Sequence, residues 1–440
     1  MAKQKVIIIG AAGRDFHNFN TCYRGNPNVE VVAFTSAQVP NIDGRNYPAD
    51  LCGPGYPNGI PIVSEKYLEQ LIKDYSVDEC LLSYSDLPYD TVMHICSRVI
   101  SCGAKFSMMG TAITEIKSTK PVISVCAVRT GCGKSQTTRA VVKALKAEGK
   151  KAVSIRHPMP YGDLSGQAIQ RFAEFSDLIK YKCTIEELEE YEPHIEMGSV
   201  VYSGVDYEAI IREAEKEADV IVWDGGNNDM PFYKPDLQIV VVDPMRPGHE
   251  ISYYPGEVNL RLADIIVVNK MDSAYPEDVE EVLSNVRKYN INAKIVLASS
   301  AISVDDPSMI LDKRVLVIED GNTFTRGGMT IGAGTVAAQR FGAAELVDPR
   351  PYTVGSITKT FAENPIINSV LPAMGYDEHQ MKDFETTIAN IDCDSVVIGT
   401  QIDLARYIKI NQPYTRVHYE LSEIGAPTIA DYVHEFCQKF

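Results

Sequence analysis

Short apolar runs recur along the chain, each closed by glycine or a polar residue. Many are followed by a stretch with helical spacing. KVIIIG at 5–10, VEVVAF at 29–34, DECLLSY at 78–84 and AKFSMMG at 104–110 form a first set. PVISVCAV at 121–128, KAVSIRH at 151–157, DVIVWDGG at 219–226, LQIVVVD at 237–243, DIIVVNKMD at 264–272 and AKIVLASS at 293–300 form a second. KRVLVIEDG at 313–321 and SVVIGT at 395–400 belong to a third. Apolar runs this short read as buried strands, and alternation with helical stretches reads as βαβ units on parallel sheets. The expected fold is α/β. A central doubly wound nucleotide-binding sheet at 118–311 follows an N-terminal Rossmann-like domain at 1–117 and precedes a smaller C-terminal α/β domain at 312–440.

The second set opens on SVCAVRTGCGKSQTT at 124–138. A phosphate loop needs backbone N–H groups turned to phosphate, a lysine for the outer phosphates and a hydroxyl for Mg²⁺. Gly133, Lys134 and Ser135 fill the last three places of the usual pattern, with Gly131 two residues earlier. The first glycine of that pattern is absent, since position 128 is Val. The context supplies the rest: a strand before, and after it a helix over 135–148 with Thr138, Val141, Val142 and Leu145 on one face and Gly149 behind. Thr130, Gly131, Cys132, Gly133, Lys134, Ser135 and Gln136 are the expected nucleotide contacts.

Charge and cysteine usage narrow the class. The formal charge of -17 argues against a nucleic-acid or anionic-membrane surface, leaving room for a local basic pocket. No run of 18 apolar residues and no secretory signal is present, and the ten cysteines are scattered, so a reduced cytoplasm without structural zinc is expected.

Further chemistry gathers at the ends of the second set of strands, where open α/β sheets bind ligands. Asp224 ends one strand and is expected to hold Mg²⁺ with Ser135. Asn269, Lys270 and Asp272 suit a base: the aspartate accepts two N–H groups from guanine, Asn269 reaches the base or braces the loop, and Ser300 offers a further contact. Guanine is favoured and adenine stays open, so the cosubstrate is GTP or ATP. Arg156, His157 and Asp163 lie in a proline-flanked loop after another strand, with Arg156 suited to an anionic substrate and Asp163 or His157 to proton handling. Arg246 and His249 repeat that style. Arg129, five residues before Lys134, has the placement of a residue reaching a neighbouring subunit's phosphates, which predicts a homodimer or higher assembly; a plain loop-surface arginine is the alternative.

In the first domain, Gly10 and Gly13 bracket a turn into a helix beginning near Arg14. No acid ends the second strand, which disfavours a dinucleotide. An anion on the helix N-terminus clamped by Arg14, or a purely structural turn, both remain open.

AVRTGCGKSQTTR, RHPMPYGDL, WDGGNND, VVDPMRPGHE, YYPGEVNLRLADIIVVNKMD, EDGNTFTRGG and LPAMGY together resemble the predicted-GTPase family related to cyclic 2,3-diphosphoglycerate synthetase. The similarity spans nearly the whole chain. It implies an enzyme in which Lys134, Ser135 and Asp224 handle nucleotide and metal, while Arg156 and Arg246 meet a small acidic or phosphorylated metabolite. A kinase or synthetase is the leading expectation. A GTPase serving a partner protein as maturation factor or metallochaperone is the alternative, disfavoured by eight dispersed histidines.

Overall fold

The computed structural model describes residues 3–37, 42–156, 162–226, 229–325, 327–375 and 377–440. Alternation along the first strand, Gln4–Ile9, decides how the N-terminal domain is layered. Val6 and Ile8 face one core with Phe16 and Phe34, while Ile7 and Ile9 face another with Leu68 and Ile95. Its six strands run in the order Asn46–Tyr47, Ile60–Ser64, Val29–Ser36, Gln4–Ile9, Glu79–Leu82, Lys105–Ser107, parallel except for the first pair.

The strand Val122–Ala127 is buried at all six positions and lies at the centre of the larger sheet, between Val220–Asp224 and Leu237–Val242. Chain order reverses on either side of it, which opens a crevice at the strands' C-terminal ends. That sheet does not stop where the nucleotide-binding strands end. Ile265–Val268 pairs with Lys294–Val304, which pairs antiparallel with Tyr414–Ile424. Ser395–Ile398 and Arg314–Glu319 continue the same sheet. The strands after residue 312 therefore share one sheet of thirteen strands with those before it.

The cores interlock as well. The last helix, Ile429–Cys437, returns Ile429, Val433 and Phe436 to the core that holds Val141 and Leu145. The helix Ile185–Glu196, capped by the reciprocal Thr184–Glu187 box, carries Ile185, Leu188, Tyr191 and Ile195 into the core of the C-terminal strands. A short antiparallel pair, Leu87–Pro88 with Tyr253–Tyr254, joins the segment after the strand Glu79–Leu82 to the segment after the strand Leu237–Val242. Among the described residues, no helix is long and apolar enough to cross a membrane.

Candidate nucleotide and substrate site

The chain leaves Ala127 and re-enters a helix at Lys134. Between them Gly131 and Gly133 take positive φ, 80° and 104°. At Gly133 glycine is obligatory on contact grounds too, because a Cβ there would lie 2.1 Å from Asn269 Nδ2. The loop is held from behind. Asn269 Nδ2 donates to Cys132 O at 2.9 Å, so Asn269 braces the loop. Lys270 Nζ donates to Gly131 O at 2.6 Å and to Asp243 Oδ2 at 3.0 Å. Arg246 Nη2 reaches the same Asp243 oxygen at 2.9 Å and Cys132 Sγ at 3.4 Å.

Beneath the loop, Asp224 is fully buried. Lys134 donates to its Oδ1 and Arg156 to its Oδ2; Thr138 Oγ1 adds a bond of 2.9 Å. Burial opposes the charge, but Arg156 and Lys134 outweigh it and hold the carboxyl well below its usual range. Arg156 also pairs with Glu190 at 2.8 Å, and Ser135 Oγ donates to Glu190 Oε2 at 3.4 Å. Ser135, Asp224 and Glu190 are hard oxygen donors of the kind Mg²⁺ prefers. Among the described residues no cluster of three or more His, Cys, Asp or Glu forms a metal cage.

The loop opens onto a cavity. Arg129, Thr130, Gly131, Gly133, Lys134, Ser135, Gln136, Arg156, Lys270 and Ser300 line it. The same lining holds four acids, Glu189, Glu190, Glu319 and Asp320, with Gly332 and Tyr419. Burial pushes Glu319 up to about 7 and Asp320 to about 6. Glu189 is driven well above the ordinary range, first by burial and then by Asp320, Glu186 and Glu190. The chamber is thus bipolar in composition, with cations around the phosphate loop and buried carboxyl groups in the same lining.

Several expected residues stand elsewhere. Arg129 does not extend from the surface. It is 4% exposed, with Nε on Asp86 Oδ1 at 2.6 Å, Nη1 at 2.6 Å from His249 Nδ1, and its guanidinium 3.7 Å above the Tyr253 ring. His249 is accordingly a neighbour of Arg129; burial and the arginine lower it to about 4. Asp163 lies in an exposed turn and accepts from Ser165 N and Gly166 N; it is not among the residues lining the cavity. His157 is outside the described residues. Asp272 accepts from Ser300 N at 3.3 Å and pairs with Arg340 at 3.6 Å, while Ser300 bonds Gln136 at 3.0 Å.

The anion clamp expected at Gly10, Gly13 and Arg14 is taken by the protein itself. Asp15 accepts from Ala12 N at 2.7 Å, Gly13 N at 3.1 Å and Phe16 N at 2.8 Å. A Cβ on Gly10 would sit 2.8 Å from that carboxylate. Arg14 points away, Nε on Asp229 at 3.1 Å and Nη2 on Met230 O, with its guanidinium over Phe232. It is 3% exposed, with Nε and Nη2 engaged by Asp229 and Met230.

The acidic wall was not anticipated. A signal existed in EELEEYE at 186–192, where acids occupy successive helical faces and leave no solvent side for all of them. Glu186, Glu187, Glu189 and Glu192 are all buried.

Residues 196–299 match the family described as cyclic 2,3-diphosphoglycerate synthetase, P-loop domain. A stretch of 102 residues is 26% identical to the cyclic 2,3-diphosphoglycerate synthetase of Methanosphaera stadtmanae, covering 23% of this chain and 22% of that one. The structure of LpxK from Aquifex aeolicus with ATP superposes with a TM-score of 0.42 at 12% identity, over 84% of this chain and 99% of that one. The likeness to the arginine synthetase ArcE of Thermococcus kodakarensis is of another order: 57% identity over 440 residues, 99% of this chain and 98% of the relative. The diphosphoglycerate resemblance thus holds for one part of the nucleotide-binding region, while along its whole length the chain belongs to the family of the arginine synthetase ArcE.

Proposed function

We propose that the protein is a nucleoside-triphosphate-dependent synthetase that forms arginine. The observation that carries this reading is the bipolar chamber, found in a chain 57% identical to an arginine synthetase over its full length. A triphosphate is attracted to the wall of Lys134, Arg156 and the loop amides. The buried carboxyl groups in the same lining favour a cation over a second anion. The small acidic metabolite expected from the sequence is therefore replaced by an amino acid with a cationic or amide-like side chain.

Synthetase chemistry of this type turns an acceptor oxygen into a phosphoryl leaving group, which a nitrogen nucleophile then displaces. Lys134 neutralises the outer phosphates once it exchanges Asp224 for them, and Arg156 stands beside the same carboxylate to follow the transferred charge. Ser135 and Asp224 would hold Mg²⁺, with Glu190 beside Ser135; the ion would offset phosphate charge. Asn269 and Lys270 fix the loop, and Asp272 with Ser300 stands at the base end.

The test is direct. Purified protein is given ATP or GTP, ammonia and a ureido amino acid precursor, and arginine and phosphate are measured. Stoichiometric arginine with one nucleotide supports the reading, and the preferred nucleotide names the base. Nucleotide hydrolysis that no amino acid or ammonia stimulates would remove it.

A further inference from the structure

The acids in the cavity lining are not equivalent. Glu319 is engaged by Gly334 N at 3.1 Å, Thr335 N at 2.6 Å and Thr335 Oγ1 at 2.8 Å, and so fixes the start of the helix Ala333–Arg340. Asp320 accepts from Thr323 N at 3.1 Å. Glu190 is held by Arg156 and Ser135. Glu189 is different. It lines the cavity at 8% exposure, yet its buried Oε1 has no hydrogen-bond partner among the described residues. A buried carboxyl oxygen left unpaired costs free energy, and native structures rarely tolerate one without a reason. Packing does not supply that reason, because the same helix face is already fixed by Ile185, Leu188 and Tyr191.

We propose that Glu189, with Asp320 beside it, is the subsite for the cationic end of the small substrate or product: a guanidinium or ammonium group carried by an amino-acid-like molecule. The proposal rests on the chamber being the site of synthesis, as argued above. Its geometry is complementary. The cation's N–H groups supply the donors that Glu189 Oε1 lacks, and the cavity is common to Glu189 and the phosphate loop. A cation bound beside Glu189 and Asp320 favours their ionised forms, whereas a phosphate there does not, so the two ends of the chamber prefer ligands of opposite charge. The subsite thus sorts two small molecules of opposite charge within one chamber.

Titration calorimetry of the full chain with arginine and with agmatine tests this. In Glu189→Gln, which keeps shape but cannot ionise against a bound cation, both cations should bind tenfold or more weakly, while ATP and GTP affinities stay within twofold. Asp320→Asn, which keeps an acceptor for Thr323 N, should show a smaller loss. Glu189→Asp should recover part of the affinity, and thermal unfolding confirms that each variant folds. Equal cation affinity in wild type and Glu189→Gln overturns the proposal, as does failure of both cations to bind the wild type. Arginine formation is scored separately. A wild type that makes arginine with a KM unchanged in Glu189→Gln sinks the subsite alone. A wild type that binds agmatine through Glu189 but makes no arginine sinks the functional reading and leaves the subsite standing.

Discussion

Two glycine-bearing turns in this molecule begin alike and end differently. At Gly10–Gly13 and at Gly131–Gly133 a mostly apolar strand gives way to positive-φ glycine and then to a helix. Both turns offer backbone N–H groups to an anion. In the first the anion is Asp15, two residues beyond Gly13 and 1% exposed. In the second, no carboxylate follows the glycines. Lys134 and Ser135 come instead, and the turn faces a cavity. A strand–glycine–helix pattern therefore marks an anion site, and the residue at the start of the helix decides whether the protein or a ligand fills it.

The widest separation of the two turns comes from removing the residue that defines each. Lys134→Ala should reduce triphosphate turnover roughly thousandfold, since one charge at the phosphates is lost and no core volume is removed. Some stability is lost because buried Asp224 keeps only Arg156 as a cation beside it, so turnover is measured well below the melting temperature; nucleotide-dependent product formation is the readout, and wild-type turnover would refute a phosphate role for the loop. Asp15→Ala should do the reverse. It leaves three buried backbone donors unpaired, a loss of about 4 kcal/mol in unfolding free energy. In the protein that remains folded, nucleotide affinity should persist. Denaturant unfolding beside nucleotide titration separates the two cases.

The filled turn also predicts a pH signature. Burial raises Asp15 from 3.8 to about 6, against the pull of its backbone donors. The folded state therefore keeps this proton to higher pH than the unfolded chain. Its contribution to stability is complete below about pH 4 and is lost as pH rises through about 6, a change of about 3 kcal/mol. Asp15→Asn has no proton to lose there. The stability difference between wild type and Asp15→Asn, followed from pH 4 to 7, should shift by that amount in favour of the variant. A flat difference would mean the carboxyl is not desolvated.

How far such distinctions can be seen in a sequence depends on their range. Strands such as Val122–Ala127 were legible because burial on both faces demands an unbroken apolar run. The strand Tyr414–Ile424 was not seen. It alternates exposure as an antiparallel strand does, but its partner Lys294–Val304 lies more than a hundred residues earlier, and alternation names no partner. Gly133, Lys134 and Ser135 stood out by local pattern alone, and they do form a glycine turn at a helix start that lines the cavity. The acidic wall did not announce itself, since Glu189 and Asp320 come from separate segments and meet only in the folded chain. Arg129 misled for the same reason: its placement suggested reach, and its true partners, Asp86 and Tyr253, are distant in sequence.

Asp86 is where the two turns become one system. It follows the strand Glu79–Leu82 of the N-terminal domain and takes a positive φ of 61°. Its Oδ1 accepts from Arg129 Nε, and its Oδ2 accepts from Thr130 Oγ1 at 2.8 Å and Thr130 N at 3.3 Å. The domain whose own anion turn is filled thus holds the first residues of the open one. Substituting Asp86→Asn keeps the shape and one acceptor but removes the charge facing buried Arg129. That arginine retains Gly327 O and the Tyr253 ring, so the loop should loosen without unfolding. The expected effect is about tenfold on nucleotide KM, equivalent to about 1.4 kcal/mol, with kcat changed less. Asp86 does not line the cavity as Lys134 does, so a loss confined to kcat would place it in the chemistry and contradict a positioning role. Unchanged KM in a folded Asp86→Asn protein would show that the phosphate loop is set by Asn269 and Lys270 alone, and that the N-terminal domain leaves it untouched.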